Sequence, residues 1–195
     1  MIMTSEMLVE KFNMYADPYG KIRRMCKAGE LFPLTKGLYE TEKNISGYLL
    51  ASALYGPSYL SFQYALARYG FIPEAVKEYT SATCLKGKKK YFDNAFGSYS
   101  YRDVPVDVFA FEIKLIEEDG YAYFIATPEK ALCDLLYSLP VIKNQKELKQ
   151  LLFDNLRIDE DLFSTLNNAI VFDLSDTYHS RNVSLLTKFL KRKNV

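Results

Sequence analysis

Between Val76 and Ile125 the chain is written in β-branched and aromatic residues punctuated by Gly87, Gly97, Pro105 and Gly120, as in EYTSATCL, KYFDNAFGSYSYR, VFAFEIKLI and YAYFIAT. Short apolar stretches separated by turn residues predict a mostly antiparallel sheet. That texture stops at Thr127-Pro128-Glu129, where a capping hydroxyl, a proline in the first turn and an acid start a helix that ALCDLLYSL carries to Pro140. Helical spacing follows, and helices are expected near residues 144–153, 159–170 and 181–193. Strands gathered in one block and helices in others give an α+β fold.

The first 44 residues read as a separate small module. Met7, Leu8, Phe12 and Tyr15 recur at helical spacing behind Thr4 or Ser5 as a cap. A second helix begins at Asp17-Pro18, carries Ile22, Met25 and Cys26 on one face, and stops at Gly29. LFPLTKGLYETE then forms two extended pieces around Thr35-Lys36-Gly37, with Pro33 suited to an edge strand. Helix, helix and hairpin in this order predict a winged helix-turn-helix at residues 1–44, followed by a larger α+β domain at 45–195 that ends in helices. Within the larger domain, Ser58 is expected to cap a helix running through Tyr69.

A hydrophobic content of 49% is ample for a packed core in 195 residues. The formal net charge of +1 argues against a strongly basic histone-like binder that neutralises many phosphates at once, though not against a local basic face. Three scattered cysteines, Cys26, Cys84 and Cys133, lack CxxC spacing and are read as reduced thiols in a cytosol. No apolar run is long enough to span a membrane, and the MIMTSEMLVEK start lacks signal-peptide order. A cytoplasmic protein is expected.

Basic residues cluster on the second helix, where Lys21, Arg23, Arg24 and Lys27 follow Tyr19. With Lys36 at the hairpin tip, these six form the expected DNA-binding set, cations reaching phosphates and guanine edges from a recognition helix. The Lys86–Lys90 run is expected at a hairpin tip, where Lys88, Lys89 and Lys90 either solvate and protect an edge or contact RNA or a protein. Glu112 and Lys114, two residues apart on a strand after Asp103 and Asp107, have the spacing of a restriction-type nuclease core. The same triplet is common as a surface ion pair, so a Mg-dependent nuclease is the alternative and a non-enzyme the main reading. His179 has no partner histidine or cysteine nearby, and phosphate-cradling glycine motifs are absent, so neither a metal nor a cofactor is expected.

Four stretches, KIRRMCKAGELFPLTKGLYE, GPSYLSFQYALARYGFIPE, TSATCLKGKKKYFDNAFGSYSYRDVP and IATPEKALCDLLY, resemble, in the same order, the AbiE-type abortive-infection antitoxins of bacteria. PSYLSFQYAL and ATPEKALCDLLY are the most specific of them. The family's winged module usually has three helices before the wing, whereas residues 4–28 hold about two. The resemblance implies an N-terminal domain that represses its own operon by binding promoter DNA. It also implies a C-terminal domain that counteracts a nucleotidyltransferase-like toxin without a stable complex. A regulator with no toxin is a further alternative. Glu129, Lys130 and Asp134 lie in the most family-specific block. Helix initiation and an exposed Lys130–Asp134 pair account for them, and so does an antitoxin contact surface shared with Lys88, Lys89 and Lys90.

Overall fold

The computed structural model describes residues 1–73 and 76–193. Its first strand, β1 (Ile2–Thr4), leads into α1 (Ser5–Lys11), which starts where the Thr4 hydroxyl accepts the Met7 N–H at 3.3 Å. Helix α2 (Pro18–Ala28) starts where the Asp17 carboxylate accepts the Gly20 N–H at 2.8 Å and closes at Gly29, whose φ of 70° is left-handed. A hairpin of β2 (Phe32–Thr35) and β3 (Leu38–Glu40) follows, and β1 pairs with β3 to give an antiparallel sheet in the order β1-β3-β2. Pro33 therefore sits on an edge strand, as expected. Three residues carry no readable periodicity, which is why β1 was not foreseen. Met3, Leu8, Phe12, Ile22 and Leu31 close a small core of their own.

A 3-10 turn at Gly47–Leu50 and α3 (Ala51–Leu54) precede β4 (Ser58–Leu60) and α4 (Phe62–Arg68). Next come β5 (Glu78–Thr83), β6 (Lys90–Asn94), β7 (Gly97–Asp103), α5 (Val106–Phe109), β8 (Ile113–Glu118) and β9 (Tyr121–Ala126). The chain ends in α6 (Pro128–Ser138), α7 (Gln145–Lys149) with a π turn at Gln150–Asn155, α8 (Glu160–Ser164), α9 (Asn168–Tyr178) and α10 (Arg181–Lys193). The class is α+β.

Three expectations are corrected. Ser58 is not a helix cap but the start of a buried strand, and the helix begins after Ser61. The six-stranded sheet, ordered β6-β7-β5-β4-β9-β8, is mixed rather than mostly antiparallel: β5 runs parallel to β7, and β4 parallel to β9. Because β7 lies between β5 and β6, the lysine-rich segment joining those two strands is a crossover connection and not a hairpin tip. The first two follow from β4 being only three residues long and buried throughout, so local texture says nothing of its direction, and the third from β7 inserting between β5 and β6. Helix α9 was likewise not foreseen as a separate element: the expected helix at 159–170 divides into α8 and the start of α9.

Alternation along β7 shows the covering layers. Tyr99 and Tyr101 point to one side, where their hydroxyls donate to the carbonyls of Gly47 at 3.0 Å and Ala51 at 2.6 Å. Arg102 points to the other, its guanidinium 4.2 Å from the Phe62 ring centroid and bonded to Gln63 at 3.1 Å. The small N-terminal sheet docks on this body through all three strands: Leu34 of β2 joins the large core, Ile2 of β1 and Leu38 of β3 pack against it, the Leu34 carbonyl accepts from Asn94 at 3.3 Å, and the Phe32 and Phe96 rings lie 5.8 Å apart. Among the described residues no helix is long and apolar enough to cross a membrane.

The covering segment approaches closely at Gly47, where a Cβ would stand 2.3 Å from the Phe96 carbonyl oxygen and 2.5 Å from the Tyr79 ring. Gly47→Ala is expected to destabilise the protein by about 1–3 kcal/mol through overpacking, measured as a lower urea midpoint at unchanged slope.

Candidate functional site

Helix α2 presents one exposed basic face. Tyr19, Arg23 and Lys27 are four residues apart and so stack in one stripe, all exposed, with exposed Arg24 beside them. The opposite side of the helix, through Ile22 with Met25 and Cys26, supplies the small core. Arg23 lies 3.8 Å from Asp17, but its side chain is 76% exposed, so solvent screens the pair and leaves the guanidinium free to take another anion. Lys21 is off the stripe: it is half-buried on the far flank, its Nζ 5.5 Å from the Tyr15 ring centroid. Lys36 is exposed in the β2–β3 turn, which is tied to the start of α1 by the Ser5 N–H donating to the Gly37 carbonyl at 2.9 Å.

The lysine-rich crossover has a fixed root and an open tip. Asp103 Oδ2 accepts the N–H groups of Lys86 at 2.9 Å and Gly87 at 2.6 Å, and Lys86 Nζ donates to the Gly56 carbonyl at 3.0 Å. Lys88, Lys89 and Lys90 project into solvent beyond that anchor. Asp103 Oδ2 is thereby engaged at the root of this segment. Glu112 has a left-handed φ of 53° and lies just before β8, so regular strand alternation begins after it and does not set it beside exposed Lys114. Glu112 instead lines a cavity of about 220 Å³ with Phe111, Asp173 and Thr177, to which Lys114 does not contribute. Asp107 is exposed on α5. Among the described residues no group of three or more His, Cys, Asp or Glu is placed to hold a metal. His179 is an exposed residue in left-handed conformation at the turn after α9.

Lys130 and Asp134 are not an exposed pair. Both side chains are 0% exposed, and Lys130 Nζ donates to Asp134 Oδ1 at 2.9 Å within α6. The other carboxylate oxygen accepts from the Ser61 hydroxyl at 2.6 Å and the Tyr59 hydroxyl at 3.0 Å. Tyr178 from α9 completes the group, its hydroxyl bonded to both Asp134 and Lys130. Burial raises the Tyr59 and Tyr178 hydroxyls well above their ordinary range, and the adjoining carboxylate raises them further, so both stay protonated donors. Glu129 is also buried, and accepts the Asn167 N–H at 2.8 Å to hold the turn ahead of α9. Glu129, Lys130 and Asp134 therefore do not form a contact surface. Every residue from Glu129 to Leu136 is buried because α6 is enclosed by the sheet, α4, α9 and α10, an environment the helix's own sequence does not encode.

Tyr59, Ser61 and Tyr178 join this network although none is a candidate site residue by motif or spacing. Tyr59 and Ser61 share one side of an extended segment, a local signal that could have paired them. Tyr178 is 44 residues from Asp134 and gives no such signal. No family model matches the chain, and no curated protein matches it.

Removing either Lys130 or Asp134 by alanine substitution is expected to cost about 3–5 kcal/mol in chemical denaturation, because a buried charge is left alone. Lys130→Met with Asp134→Leu should lose clearly less than the two single losses added together. Since the folded state holds Tyr59 and Tyr178 neutral while the unfolded chain ionises them at the usual value of about 10, stability should be unaffected by them below that pH and fall above it. Ultraviolet titration should show these two ionising only with unfolding.

Proposed function

We propose that the protein is the antitoxin and transcriptional autoregulator of a bacterial abortive-infection toxin–antitoxin operon, acting in the cytoplasm. In this reading residues 1–44 are a winged helix-turn-helix that binds promoter DNA through α2 and the β2–β3 turn. Residues 45–195 oppose a nucleotidyltransferase-like toxin without a stable complex.

The observation that carries the reading is the exposed stripe of Tyr19, Arg23 and Lys27 with Arg24, set on a module with its own core and followed by a hairpin whose turn bears Lys36. A helix held by its apolar side and free on its basic side has the form needed to enter a major groove, where cations meet phosphates and base edges. The resemblance to AbiE-type antitoxins adds support through the placement of its blocks. PSYLSFQYAL supplies Tyr59 and Ser61 and ATPEKALCDLLY supplies Lys130 and Asp134, so the two most specific blocks meet in one buried network. Glu74, which ends the longer second block, lies outside the described residues. With Glu129, Lys130 and Asp134 enclosed, the exposed candidates for antitoxin contact narrow to Lys88, Lys89 and Lys90.

Fluorescence anisotropy with the promoter of its own operon should show salt-dependent binding. Arg23→Ala with Arg24→Ala should weaken it about tenfold or more and lower the salt slope by about 2. Promoter binding by the double variant equal to that of the parent would remove α2 from the interface, and no specific binding by the parent at any salt concentration would end the DNA-binding reading. Co-expression with the adjacent toxin should restore growth, and replacing Lys88, Lys89 and Lys90 by alanine should reduce that rescue while promoter binding persists.

A further inference from the structure

Where α9 turns into α10, a cavity of about 470 Å³ is lined by Lys143, His179, Ser180, Arg181, Ser184 and Lys188 together with two aliphatic side chains. Lys143 precedes α7 and is brought there by the packing of α7 on α10, so the lining comes from two separate segments of the chain. No carboxylate lines the cavity. Among the described residues, none of the three cations is in an ion pair, and none of the six polar side chains makes a hydrogen bond within the protein. Lys143, Arg181 and Lys188 are exposed around this open concavity, and the Glu147 carboxylate just outside it accepts the Lys143 backbone N–H at 3.0 Å, so in a chain of net charge +1 the lining itself carries a local excess of positive charge. Arg181 and Ser184 stand in the first turn of a 13-residue helix, whose dipole adds to that excess.

We infer that this cavity binds a phosphate ester of about nucleotide size. The volume falls within the range of small-molecule sites. The donor set matches the chemistry: Arg181 can take two phosphate oxygens in a fork, lysines serve as point charges, and the hydroxyls of Ser180 and Ser184 donate to the remaining oxygens. This site is separate from the α2 face and is independent of the proposed DNA-binding role.

The test is calorimetric titration of the full chain with 5′-AMP, with inorganic pyrophosphate and with adenosine. Saturable one-to-one binding of both phosphate probes is expected, with none for adenosine. Lys143→Ala with Lys188→Ala should weaken binding about tenfold or more. Lys146→Ala with Lys191→Ala removes the same charge from exposed positions outside the cavity and should change binding by about twofold at most. Ser184→Asp, which sets a carboxylate in the cavity, should abolish binding and carries the test should the first double variant fail to fold. Failure of either phosphate probe to saturate, equal losses in the two lysine double variants, or adenosine binding as well as 5′-AMP would each overturn the site.

Discussion

Lys130 and Asp134 face one another across one turn of α6 with no solvent on either side chain, and that constraint reaches well beyond the helix. A charge moved out of water is costly unless its partner and its remaining hydrogen bonds are supplied by the fold. Asp134 obtains them from Tyr59 and Ser61 on the segment of β4 and from Tyr178 at the end of α9. Any packing that displaces β4 or α9 leaves one of these groups unpaired in an apolar interior. The network thus adds modest net stability but heavily penalises alternatives, tying together elements that are far apart in the chain.

With β4 held in this way, the sheet order follows. Strand β4 lies between β5 and β9, antiparallel to one and parallel to the other, and this joins the mixed β6-β7-β5 unit to the β8–β9 hairpin in one six-stranded sheet. The other face of the sheet is closed by the 3-10 turn and α3, fixed by the Tyr99 and Tyr101 hydroxyls and by the close approach at Gly47. Burial raises the Tyr101 hydroxyl too, which keeps it a donor to the Ala51 carbonyl. The small core of Met3, Leu8, Phe12, Ile22 and Leu31 closes apart from this, while Ile2, Leu34 and Leu38, one from each strand of the small sheet, pack on the larger core. Such an arrangement lets α2 face outward while its other side is packed.

Charge is nearly balanced over the whole chain but not locally. Cations on α2 are exposed along a convex helix face, a geometry suited to a groove, whereas Lys143, Arg181 and Lys188 converge on a concavity suited to a small ligand. The exposed Lys88–Lys90 segment leading into β6 is a third location, anchored at its root by Asp103. Each has a different shape, so composition alone could not have separated them.

The sequence by itself determined the features that depend on local chemistry. Asp17 and Thr127 cap the helices they were expected to cap, Thr4 rather than Ser5 caps the first, Gly29 takes the left-handed stop, and Pro33 lies on an edge. The basic stripe of α2 was legible for the same reason, since helical spacing alone sets which residues share a face; only the half-buried Lys21 departs from it. Tertiary structure decided what depends on neighbours distant in the chain. It turned Ser58 into a strand residue, made the sheet mixed and drew Lys130 and Asp134 inside. It also gathered Lys143 with Arg181 and Lys188 around one cavity. A four-residue spacing of Lys and Asp reads identically on a solvated helix and on an enclosed one. The difference lies in β4, α9 and α10, whose positions are fixed by packing and by the cost of leaving a buried charge unpaired.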